Sequence, residues 1–138
     1  MELIDYLNRY DRFAAASGVR LTEMGDGRAV AVMTVTETHV NGANVCQGGA
    51  LFTLADLAFA AAVNGGGRMT VGTSCNITFF RSALMGDTLT AEAVQHDHPK
   101  LPFCEVRVFN QHGELVSMMT GSAYRRKVPI LPDEAQER

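Results

Sequence analysis

Residues 48–63 read GGALFTLADLAFAAAV, and the fold turns on what this stretch can be. Alanine and leucine dominate it and proline is absent, so it predicts a helix. That helix is apolar nearly all round, which places it inside a protein rather than on a surface. It is too short for a bilayer and carries Asp56 too near its middle. Something else in the chain must therefore wrap it.

The wrapping is available downstream, where residues 69–80, 88–95, 103–110 and 114–126 are strand-like runs. Val71, Thr73, Cys75, Ile77 and Phe79 alternate along the first run, as Cys104, Val106 and Val108 do along the third. Met85-Gly86-Asp87, His98-Pro99-Lys100 and Gln111-His112-Gly113 punctuate the runs as short turns. Upstream, residues 19–24 and 28–36 flank a Gly25-Asp26-Gly27 turn and read as a strand pair, followed by a loop over 37–46. Before them Leu3, Ile4, Leu7, Tyr10, Phe13 and Ala14 recur at three- and four-residue spacing, which predicts an amphipathic helix over 2–16 closed by Ser17-Gly18. Consecutive strands with short turns make an antiparallel sheet. The expected architecture is α+β, with five to six strands curled around one long helix and a second helix at the N-terminus. Residues 1–128 form one domain in this reading, and 129–138 a loose polar tail.

The chain has 138 residues, 46% of them hydrophobic, enough for a single core. Its 12 basic and 15 acidic residues leave a formal charge of -3, which does not suit a nucleic-acid partner. Glu2, Asp5, Arg9, Asp11 and Arg12 interrupt the first helix, so it is neither a secretion signal nor a membrane span, and a cytoplasmic protein is expected. Three widely spaced cysteines, Cys46, Cys75 and Cys104, suit neither a disulfide framework nor a zinc site and read as reduced, buried thiols.

Asp56 is the only ionisable side chain in the apolar helix. Two readings stand open. In one, Thr53, Asp56, Ala60 and Asn64 form a narrow polar stripe facing water or a subunit seam. In the other, the carboxylate sits in a semi-buried cleft where desolvation lifts its pKa towards the range of a general base. Gln47-Gly48-Gly49 precede the helix, and glycines there either make a tight helix entry or let a ligand approach unpaired backbone N–H groups that can hold an oxyanion. Asn41, in the loop ahead, can orient a water or carbonyl, or satisfy its own backbone.

In order, Asn41, Gln47-Gly48-Gly49 and Asp56, followed by the Cys75–Ala93 run CNITFFRSALMGDTLTAEA, resemble the PaaI-like branch of the hot-dog-fold thioesterases. The resemblance covers the chain from about Val19 to Arg126. It implies a hot-dog fold and hydrolysis of a small or aromatic acyl-CoA, with a non-catalytic acyl-CoA binding protein as the alternative. It further implies that Asp56 is base or nucleophile, that the backbone N–H of Gly48, with Gly49, polarises the thioester carbonyl, and that Asn41 places water or substrate. Arg81 stands where relatives meet the CoA phosphates, with a solvated Arg capping a strand end as the other reading, and Ser74 and Phe59 are assigned to substrate contact. A homodimer or homotetramer with the site at the subunit seam is expected, and no cofactor beyond the CoA of the substrate.

Gln47 departs from the family's His. Its amide can still orient through hydrogen bonds but cannot transfer a proton. Ser82-Ala83 likewise replaces the proline that usually follows the Arg. Thioester hydrolysis tolerates the loss of an acid, because a thiol of pKa about 8.5 leaves without much protonation. His96-Asp97-His98 lacks a third metal ligand, so no metal is expected. Gly65-Gly66-Gly67 is not a phosphate loop, and Cys46 beside His39 lacks a third orienting group and reads as a packed thiol. No Gly-x-Ser-x-Gly elbow is present.

Overall fold

The computed structural model describes residues 1–96 and 98–132. Asp97 and residues 133–138, most of the expected tail, lie outside the described residues. In chain order the elements are α1 (Leu3–Tyr10), α2 (Arg12–Ala16), β1 (Arg20–Gly25), β2 (Arg28–Thr34), a 3-10 turn (Glu37–His39), α3 (Gly48–Asn64), β3 (Arg68–Phe79), β4 (Thr88–His96), β5 (Phe103–Phe109) and β6 (Leu115–Pro129).

The strands form one six-stranded sheet in the order β1-β2-β4-β5-β6-β3, with every neighbouring pair antiparallel. The sheet packs on α3, as the apolar composition of that helix requires. One lateral row shows how. Ile77 pairs with Met119, Met119 with Val106, Val106 with Ala93 and Ala93 with Ala29, and all but the partly buried Ile77 are enclosed. Alanines at 29, 31, 91 and 93 keep β2 and β4 thin under the helix, whose own Ala55, Ala58, Ala61 and Ala62 are fully buried. The backbones approach closely, and Leu54, Leu57, Leu89 and Met119 fill what remains. Each such side chain contributes roughly 1.5–3 kcal/mol on burial.

Three readings of the sequence are corrected. The single helix over 2–16 is two, because Asp11 leaves helical geometry at φ -78° and ψ 81° to accept the N–H of Ala14 at 3.2 Å and start a new helix. The alternation along β3 does not bury one of its faces: Val71 and Phe79 are 47% and 50% exposed, because β3 is an edge strand. For the same reason Cys75 is exposed, whereas Cys46 and Cys104 are buried. At the other end, β6 runs on to Pro129, and Ile130 donates its N–H to Gly67 O at 2.8 Å.

Candidate active site

Helix α3 supplies two chemical features at different heights. The first is Asp56, which leaves the helix on its one open side between buried Ala55 and Leu57 and is itself exposed in the single chain. Partial desolvation by the surrounding protein pushes its carboxyl above the usual Asp range, and the carboxylate of Asp11 at the start of α2 pushes it further the same way. The thiol of Cys75 on β3, exposed by surface area, is raised by partial desolvation first and by the charge of Asp56 second. The polar stripe anticipated from Thr53 to Asn64 ends short of its last member. Asn64 is 3% exposed, donates to Ala60 O and Thr70 O and accepts the Thr70 N–H, tying α3 to β3.

The second feature is the helix start. Gln47 is the N-cap, and its Oε1 accepts the N–H of Gly49 at 2.6 Å. The Gly49 amide expected to help polarise a carbonyl is thus occupied by the very residue that replaces the family's His. Gly48, the first helical residue, has no intrahelical acceptor for its N–H, and among the described residues no other partner takes it. A Cβ on Gly48 would stand 3.0 Å from Phe79 Cζ, so glycine is what lets the ring of Phe79 lie against the helix entry.

The Gly48 backbone opens into a groove of about 380 Å³ lined also by Leu51, Phe79, Phe80, Arg81 and Ser82. Among the described residues Arg81 is the one charged side chain on that lining, and its Nη1 lies 3.2 Å from Glu114 Oε2. A larger groove of about 1100 Å³, between the start of α1 and the β1–β2 hairpin, contains none of the expected site residues.

Asn41 is exposed, and its Oδ1 accepts the N–H groups of Ala43 and Val45 at 3.0 and 3.2 Å. Its oxygen is therefore committed to its own loop, which leaves the amide NH₂ as the group to offer a ligand. Ser74 is exposed on the edge strand, just beyond a bulge. Phe59 departs from expectation. It is 2% exposed, with its ring seated where Cβ atoms on Gly72 and Gly121 would be, so it packs the core instead of lining the groove.

His39 is not a base for Cys46. Its Nε2 donates to Ser17 O at 2.6 Å and its Nδ1 accepts the Thr36 N–H at 2.9 Å, so both nitrogens are structural. Burial pushes Cys46 up to about 11 and Cys104 up to about 12, which keeps both thiols protonated at neutral pH. Among the described residues no three of His, Cys, Asp or Glu converge as metal ligands. Two contributors, Asp11 and Glu114, were not among the expected site residues. Each lies far in sequence from the group it acts on, and no local pattern marks either.

The family model of the thioesterase superfamily matches residues 43–117. The chain is 40% identical over 116 residues to the acyl-coenzyme A thioesterase PaaI of Escherichia coli K12, covering 83% of each chain. It superposes on the structure of the E. coli PaaI protein from the phenylacetic acid degradation operon with a TM-score of 0.88 and 37% identity, covering 92% of this chain and 93% of that one. A hypothetical thioesterase protein of Streptococcus pneumoniae TIGR4, solved with coenzyme A, superposes with a TM-score of 0.73 and 25% identity over 78% of this chain and 87% of that one.

Proposed function

Because the chain belongs to the thioesterase superfamily and is a thioester hydrolase, we propose that it cleaves a small or aromatic acyl-CoA to the free acid and CoA, with Asp56 as base or nucleophile and the Gly48 N–H as oxyanion donor. The observation that carries this reading is the pairing on one helix of a lone carboxylate of raised pKa with an unpartnered N-terminal amide. In the base mechanism, Asp56 takes a proton from water as the oxygen attacks the carbonyl carbon. The Gly48 N–H holds the resulting oxyanion until the intermediate collapses and expels the thiolate. In the nucleophilic alternative, Asp56 attacks directly and water hydrolyses the anhydride.

Geometry adds a constraint on assembly. Asp56 lies eight residues after Gly48, and at about 1.5 Å per residue that separates them by roughly 12 Å along the axis. One thioester carbonyl cannot meet both within a single α3. Two chains placed with their α3 helices antiparallel bring the Gly48 of one to the Asp56 of the other. The exposed edge strand β3 and the exposed Phe79, Phe80, Leu84 and Met85 offer a surface for such a pairing, which supports the reading of a homodimer or homotetramer.

Release of free thiol from acetyl-, phenylacetyl-, hydroxybenzoyl- and longer acyl-CoA tests the activity and ranks the acyl groups. Asp56→Asn is expected to lower kcat/KM by ~10²–10⁴-fold with an unchanged circular dichroism spectrum. An undiminished rate would remove Asp56 from the mechanism, and retention of acyl-CoA without thiol release would make the protein a binder.

A further inference from the structure

The cation on the groove that leads to Gly48 is not free. Arg81 Nη1 meets Glu114 Oε2 at 3.2 Å, and Glu114 is itself held in place: its Oε1 accepts from Asn110 Nδ2 at 3.0 Å, while its N–H donates to Asn110 Oδ1 at 3.1 Å and its carbonyl accepts the Asn110 N–H at 3.0 Å. Asn110 is 9% exposed, so the half-exposed carboxylate is anchored to a buried residue at the base of the hydrogen-bonded turn between β5 and β6. A surface glutamate with free rotamers would yield its partner readily. Here the carboxylate accepts one side-chain hydrogen bond and the backbone beneath it is tied by two more, so part of that freedom is already lost and Glu114 competes better for the guanidinium.

We propose that Glu114 is a specificity-determining counter-ion: it competes with the phosphates of CoA for Arg81 and so sets how strongly the groove prefers a phosphate-bearing thioester over one without phosphate. The inference rests on the acyl-CoA reading above, since it concerns the end of that substrate remote from the thioester. Arg81 is the only charged group among the described residues lining this groove, so a phosphate entering it has one cation to meet, and Glu114 already offsets that charge. A phosphate that takes the guanidinium face to face in bidentate fashion competes with the carboxylate for Nη1.

Calorimetric titration of the full chain with CoA and with pantetheine, which lacks the phosphates, tests this without turnover. Glu114→Gln keeps an oxygen for Asn110 and is expected to tighten CoA about threefold, the size of an exposed ion pair's contribution, leaving pantetheine unmoved. Arg81→Gln should weaken CoA, and in that background Glu114→Gln should add nothing. The ratio of kcat/KM for phenylacetyl-CoA over phenylacetyl-N-acetylcysteamine should rise in Glu114→Gln and fall in Arg81→Gln. A CoA affinity that stays the same or drops in Glu114→Gln overturns the proposal, as does an effect that survives removal of Arg81 or an absence of CoA binding by the unaltered protein. A protein that shows the expected CoA preference yet releases no thiol refutes the hydrolase mechanism instead.

Discussion

Asp56 shows how one residue's surroundings set its chemistry. Its carboxyl is raised first by burial and then by Asp11, and Arg12, the nearest cation in sequence to Asp11, lies over the Tyr10 ring at 5.5 Å. From β3 Cys75 couples to Asp56, and among the described residues the only titratable side chain buried within the strands is the thiol of Cys104. Activity that needs the ionised carboxylate should therefore rise with pH through a midpoint above the ordinary Asp value of about 3.9. Asp11→Asn removes the like charge and should move that midpoint down, read from kcat/KM against pH; a midpoint that does not move would show that Asp11 is remote from Asp56 in the working enzyme. Stability follows the opposite sense. The folded state holds the Asp56 proton more tightly than the unfolded chain, so stability falls as pH rises from the ordinary value to the raised one and stays level beyond. Asp56→Asn should thus be at least as stable as the native chain near neutrality, with the difference gone in acid. Ser117 belongs to the same scale. It is fully buried and its hydroxyl has no hydrogen-bond partner among the described residues, so Ser117→Ala should raise stability by about 1 kcal/mol in urea melts.

Helix α3 is held at both ends by side chains that the sequence marks only as polar. At its start Gln47 caps Gly49, which leaves Gly48 as the free amide of the turn. At its end Asn64 takes over the backbone groups of Thr70, which is 5% exposed. Asn64→Ala strands a buried N–H and a buried C=O together, and the expected loss is about 2–4 kcal/mol by denaturant titration. A loss below about 0.5 kcal/mol would mean that water reaches the Thr70 backbone. The same economy explains the break between α1 and α2. Asp11 sits where a helix following the apolar spacing would continue, but its side chain captures the Ala14 N–H, and the chain turns.

For the molecule as a whole, the position of β3 decides most. It follows α3 in the chain yet lies at the far edge of the sheet from β1. The helix thus crosses beneath the sheet, and the last strand presents its outer edge with Val71 and Phe79 exposed. Light scattering during size exclusion is expected to give twice or four times the mass of 14.9 kDa at micromolar concentration. A monomer that still turns over acyl-CoA would contradict the separation argued for Gly48 and Asp56.

The apolar run at 48–63, its lone Asp and the strand runs on either side were enough to read the α+β architecture, because burial must match hydrophobic pattern and helix or strand period. Asn41, Gln47-Gly48-Gly49 and Asp56 could be nominated as a candidate site because they stand close together along one stretch of chain. Which side of the sheet β3 joins, the burial of Phe59 against Gly72 and Gly121, the capture of the Gly49 amide by Gln47, and the placing of Asp11 within electrostatic reach of Asp56 and of Glu114 beside Arg81 came only from the folded chain. Local pattern reports what a segment prefers to bury. Contacts between segments dozens of residues apart depend on strand order and register, and these are set by the packing of the whole core.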